Sequence, residues 1–266
     1  VAASYGKLPL SFEANHGQTD PQVRFLARGA GYSLFLTNSS AVLALAAPAV
    51  ADPRRLPDKA ANSSPVAMGF TTASVRMELA GATSGRRVEG VDELPGKVNY
   101  FVGKGASKWH SNVPTYAKVR YFGVYPGVDL IYYGNQRQLE YDFVVAPNAD
   151  PDSVKLHFAG TKQLKLAPNG DLELMAKDGE VTFHRPVVYQ MTEGKRQAIS
   201  GAFALAANNV VRFRLGAYDH SRDLIIDPVL VYSTYIGAGG GVGETPNTDT
   251  GAVGRLIAST RTAMLT

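Results

Sequence analysis

The feature that most constrains this chain is an alternation of period two. In residues 139–145, Leu139, Tyr141, Phe143 and Val145 alternate with Glu140 and Asp142. A β-strand sends successive side chains to opposite faces, so this pattern predicts a strand with one buried and one exposed face. Residues 32–36, 75–79, 116–121 and 210–215 read the same way and are rich in Tyr, Val, Phe and Thr, which suit a pleated surface. No segment supports a helix longer than about two turns. The expected fold class is therefore all-β, an antiparallel β-sandwich or two packed sandwich-like lobes, with few or no long helices.

Turn chemistry punctuates the second half. Asn169-Gly170, Asp178-Gly179, Glu193-Gly194 and Asn208-Asn209 each separate two strand-like runs. Asn-Gly and Asp-Gly accept the positive φ of the tight turns whose twist matches paired strands. Residues 154–215 are thus expected to form an antiparallel meander of about seven short strands. The first half is less regular: 48–65 is an Ala/Pro/Asp/Ser-rich stretch expected to be a long surface loop. Residues 103–114 read as a second loop, with one helical turn opening at Ala106. The organisation predicted is a β-rich N-terminal lobe over 1–115, an antiparallel β lobe over 116–230, and the start of a truncated repeat with a poorly ordered tail over 231–266.

At 266 residues and 45% hydrophobic composition the chain can bury a full core, and it contains no cysteine, which rules out disulfides and thiolate chemistry. A net charge of +4, with basic residues scattered rather than clustered, argues against a nucleic-acid partner. No apolar run is long enough for a transmembrane helix, so no membrane insertion is expected. The chain begins at Val1 rather than Met, and a removed signal peptide is compatible with that start.

Six phrases occur in order: FEANHGQ (12–18), VNYFVGK (98–104), KWHSNVPTYAKVRYFGVYPGVDLIYYG (108–134), LEYDFVVAPNADP (139–151), PVVYQ (186–190) and IIDPVLVYSTYIGAGG (225–240). Together they resemble the N-terminal domain that precedes the repeats in bacterial SBBP-type β-propeller repeat proteins. The resemblance implies an exported or cell-surface setting and a downstream repeat domain as partner. Residues 232–237 resemble the opening of such a repeat, and the match stops there. On this reading 224–227 is the last strand of the domain, closed by Pro228.

Candidate chemistry is sparse. Glu140 and Asp142 share one strand face at a spacing of about 6–7 Å, within the range a pair of glycosidase carboxylates needs. The alternative is a solvated face whose acids pair with Arg120 or Arg137. Glu13, Asn15, His16 and Gln18 crowd one segment beside Gly17, either as a polar ligand site or as a turn bonded to its own backbone. Trp109 and His110 form a loop pair that would either stack on a sugar or cover a sheet edge. The series Asp219, Ser221, Asp223 and Asn148, Asp150, Asp152 resemble calcium loops but lack the glycine and distal glutamate, so each reads as a turn first. There is no nucleophile elbow, phosphate loop or zinc-ligand spacing, and no cofactor is implied. The expectation is a non-enzymatic structural or adhesion-like module, with a surface glycan or a protein as ligand. The alternative is a carbohydrate-binding or glycoside-hydrolase-like β-sandwich with Glu140, Asp142 and Trp109 at its site.

Overall fold

The computed structural model describes residues 9–29, 31–47, 71–83, 86–101, 105, 109–135, 138–176 and 180–233. They are all-β apart from a single 3-10 turn at Pro151–Ser153, whose N-cap Asp150 accepts a hydrogen bond from the Asp152 amide at 3.0 Å. The first strands are β1 (Phe12–Ala14), β2 (Val23–Gly29), β3 (Tyr32–Thr37), β4 (Ser40–Ala47) and β5 (Thr71–Leu79). The middle of the chain forms β6 (Val88–Tyr100), β7 (His110–Tyr125), β8 (Val128–Asn135) and β9 (Gln138–Val145). Next come β10 (Leu156–Ala159), β11 (Gln163–Leu166), β12 (Leu172–Met175), β13 (Glu180–Phe183), β14 (Val187–Thr192) and β15 (Lys195–Ile199). The last four are β16 (Gly201–Ala206), β17 (Val210–Leu215), β18 (Leu224–Asp227) and β19 (Val229–Ser233).

Every pairing among these strands is antiparallel and all belong to one sheet. One path of neighbours runs β16–β17–β10–β5–β4–β3–β2–β1, then through β7 and β8 to β9. The far edge of β9 takes both β18 and β19, and there the sheet forks. β18 leads to β14 and β15, whereas β19 leads to β13, β12 and β11. The sheet curls until β11 approaches β16, nearly closing into a barrel, and its two halves face each other as in a sandwich.

The facing halves meet in one apolar core. Leu34, Leu43 and Met77 from β3–β5 stand opposite Tyr141, Phe183 and Leu230 from β9, β13 and β19, with a void of only about 20 Å³ between them. Edge-on and tilted aromatic contacts run through it: Tyr121 to Tyr132 and Tyr132 to Tyr141 at 5.8 Å, Tyr141 to Phe183 at 6.1 Å, and Phe183 to Phe158 at 5.4 Å. Position 115/116, where the sequence reading divides two lobes, lies inside β7, and residues from both sides share this core.

Other expectations meet the structure unevenly. Glu193 and Gly194 both have positive φ (51° and 76°) and close the two-residue β14–β15 turn, and Asn208 and Asn209 (58° and 55°) close β16–β17. The expected meander is present only over β11–β12–β13 and is followed by two separate hairpins, β14–β15 and β16–β17. β13 pairs with β19 and β14 with β18, so the consecutive β13 and β14 lie on different branches of the fork. The predicted loop over 103–114 is shorter than expected, because β7 already begins at His110. Asn112 adopts positive φ (56°) and its amide bonds Asn99 Oδ1 at 2.8 Å, which lets the strand run through a polar, Pro-containing stretch. The turn at 178–179, the loop at 48–65, the helical turn at Ala106 and the tail from 234 onward lie outside the described residues. No helix of the described residues is long and apolar enough to cross a membrane.

Residues 224–233 form almost one continuous strand along β9. Leu224 pairs with Val145 and Val231 with Gln138 in one unbroken register. Pro228 interrupts it, and a proline has no N–H to donate. At that point the outer partner changes from β14 to β13, and the His184 amide bonds the Val229 carbonyl at 2.8 Å. Residues 231–233, read from sequence as the start of a repeat, are backbone-paired within the domain's own sheet.

Candidate functional site

The outer face of β8, β9, β18, β14 and β15 carries the most unusual electrostatics among the described residues. Alternation on β9 buries Leu139, Tyr141, Phe143 and Val145 and turns Glu140 and Asp142 outward. On β18, Leu224 and Ile226 point into the core, so Asp227 faces outward with the two acids. The register pairs Ile226 with Phe143 and Val229 with Glu140, which sets Asp227 opposite Asp142 across adjacent strands. Like charges directly opposite in a sheet destabilise it. Asp227 is also buried, with 9% of its surface exposed, and its Oδ1 accepts no hydrogen bond.

Few donors serve these acids. Tyr133, paired with Glu140 on β8, donates its hydroxyl to Asp142 Oδ1 at 3.0 Å. The same hydroxyl is the hydrogen-bonding group that favours ionisation of Glu140 and of Asp227, yet it has a single proton to give. On the far side Arg196 of β15 lies over the Tyr189 ring, 4.2 Å from its centroid. Burial, then the charge of Asp227, pushes the Asp142 carboxyl up to about 7, against the pull of the Tyr133 hydroxyl. Burial and the Asp227 charge likewise raise Glu140. Burial raises Asp227 itself, with Arg196 and Tyr133 opposing. Burial and the charges of Asp142 and Asp227 push the Tyr133 phenol far above its ordinary range. Such a face can hold a proton near neutrality, or accept a further cationic donor beside Arg196.

Asp129, upstream on the same face, belongs to a different arrangement. Arg120 grips its Oδ2 through Nε at 3.0 Å and Nη2 at 2.6 Å, and the Gly123 amide bonds Oδ1 at 2.7 Å. Arg120 is thus committed to Asp129 rather than to Glu140 or Asp142. Arg137, the other expected partner, lies outside the described residues.

Glu13, the FEANHGQ turn and His110 gather at a second place. Glu13 on β1 is buried and is bonded by both Arg28 of β2 and Tyr100 of β6, while Arg28 Nη2 donates to the Tyr100 hydroxyl at 2.8 Å. Asn15 spends its amide on its own turn, donating to the Asp20 and Val23 carbonyls at 2.8 and 2.9 Å and accepting from the Gly17 amide at 3.0 Å. Gly17 sits at φ +108°, and a Cβ there would meet His110 Cε1 at 3.0 Å, so FEANHGQ and His110 are neighbours in space. An open cavity of about 500 Å³ adjoins, lined in part by Asn15, His16, Arg24 and Phe25. Trp109 packs edge-on against Phe101 at 5.4 Å, both rings exposed. In the calcium-like loops, Asp219 accepts from the Ser221 amide and hydroxyl at 2.9 and 2.7 Å and from Arg222 Nε at 2.9 Å. No group of three or more His, Asp or Glu side chains among the described residues could hold a metal ion.

The structure therefore keeps Glu140 and Asp142 together and brings Gly17 of the FEANHGQ segment beside His110. Sequence reasoning missed Tyr133, Asp227 and Arg196. The only signal for Asp227 was its place in a strand ending at Pro228, and its partner across the sheet depends on long-range register.

No curated protein and no solved structure matches the chain. One family model does, over residues 12–229, which takes in everything from β1 to the first residue of β19. Covering both the carboxylate face and the Glu13 cluster, this match means the chain belongs to the family described as Domain of unknown function (DUF7948).

Proposed function

We propose that this domain is a non-enzymatic structural and interaction module of an exported or cell-surface bacterial protein, and that it anchors a following β-propeller-type repeat array. The observation that carries the reading is the position of β19. Residues 229–233 are seated between β9 and β13 rather than on an edge, so a segment continuing from Ser233 is tied to the middle of the sheet. Pulling such a strand out breaks two ladders at once and opens the apolar core at Leu230. The resemblance to domains that precede repeats supports the same role. Truncation tests it: a chain ending at Ser233 should fold and melt as the full chain does, whereas one ending at Asp227 should lose cooperative folding. Equal stability of the two, or robust turnover of glycans, peptides or esters by the purified domain, would overturn the anchor reading.

A second reading, carbohydrate recognition, is supported by the Tyr133 ring on the same face as Glu140 and Asp142. Glycan-array binding that is lost in Asp142→Asn would favour it.

A further inference from the structure

We propose that the outer face formed by β8, β9, β18 and β14 is a recognition site for one arginine side chain of a partner polypeptide, whose guanidinium docks between Asp142 and Asp227. The first argument is the orphaned acceptor. Asp227 Oδ1 is buried without a donor, and leaving a buried carboxylate oxygen unpaired costs free energy that a bound donor would recover. The second is charge. Glu140, Asp142 and Asp227 converge on one hydroxyl, Tyr133, with Arg196 as the cation on the flanking strand, and Arg196 already lies over Tyr189. The third is shape. Val187, paired with Asp227 on β14, and Met191, farther along β14 and paired with Arg196 of β15, are half-exposed apolar side chains. They offer a surface for the methylene stem of a long cationic residue. A guanidinium presents five donors in a planar fork and can bridge two separated carboxylates, which a compact metal ion cannot do without converging ligands.

The groups facing the docked cation are Tyr133 from β8, Glu140 and Asp142 from β9, Asp227 from β18, Tyr189 from β14 and Arg196 from β15. Because the acids hold a proton more tightly than free carboxylates, binding should release it and strengthen as pH rises through neutrality.

The site rests on the interaction-module reading only in taking a polypeptide as partner; its failure leaves the anchoring role of β19 to the truncations. The experiment is an NMR titration of the full chain with the capped peptide acetyl-Gly-Arg-Gly-amide, and with the same peptide carrying citrulline, which is isosteric but uncharged. Saturable amide shifts are expected at Tyr133, Asp142 and Asp227 with the arginine peptide alone. Affinity should drop about tenfold in Asp227→Asn and in Asp142→Asn. If Asp227→Asn does not fold, Asp142→Asn decides. Equal shifts with citrulline, shifts confined to other faces, no saturable shifts, or wild-type affinity in the folded variants would overturn the proposal.

Discussion

Two tyrosines of the same aromatic chain have hydroxyls with opposite fates. Tyr121 donates to the Thr37 carbonyl at 2.7 Å, stitching β7 to the end of β3 inside the core. The Tyr141 hydroxyl is fully buried and has no partner. A buried polar group without a partner carries its desolvation cost uncompensated, whereas removing one side of a formed bond strands the other. Tyr121→Phe should therefore cost about 1–2 kcal/mol, and Tyr141→Phe should be neutral or stabilising by up to about 1 kcal/mol, as read by urea denaturation. Equal losses for both would show that the Tyr141 hydroxyl is as well satisfied as that of Tyr121. Which tyrosines turn inward was legible from alternation around 116–121 and 139–145. Which hydroxyl finds a carbonyl was not, because that depends on how a strand end is seated across the core.

At the scale of elements, the pairing of β9 with β18 sets one carboxylate against another. The folded-state value of about 7 for Asp142 lies above its ordinary value of 3.8, so the folded chain binds this proton more tightly than the unfolded one. Stability from this group is then fullest at acid pH and is lost as pH rises from about 4 to 7. Asp142→Asn keeps an acceptor for Tyr133 but removes the charge. It should raise stability at about pH 8 by roughly 1–3 kcal/mol and change it little at about pH 4, as followed by melting temperature across that window. An unchanged pH slope in the variant would show that Asp227 and Glu140 alone carry the coupling. The outward placement of Glu140 and Asp142 could be read from β9 itself. The opposing Asp227 could not, since strand registers between distant segments leave no local trace. β6 escaped notice for another reason: between Glu93 and Lys97 its register slips around Pro95-Gly96, and the bulge is fastened by Thr115 Oγ1 donating to the Gly96 carbonyl at 2.7 Å. A bulge of this kind erases the alternation that announces a strand.

For the molecule as a whole, core residues on both sides of β7 pack into one cluster. Calorimetry should accordingly show a single unfolding transition whose calorimetric and van't Hoff enthalpies agree; two resolved transitions would mean that the halves hold together only loosely. The all-β class was readable because amphipathic alternation and turn residues are local properties. The order of strands in the sheet was not, because β1 joins β7, β5 joins β10 and β9 joins β18 across long stretches of chain.

The late position of β19 also bears on how the domain is made. A polypeptide emerges from its N-terminus, so β9 and β13 exist for some time before the strand that separates them has been synthesised. During that interval the nascent chain carries an open apolar seam flanked by two unsatisfied strand edges, the kind of surface that invites misassembly with neighbouring chains. Completion of residues 229–233 closes the seam, so assembly of this sheet waits on a strand made well after the two it joins.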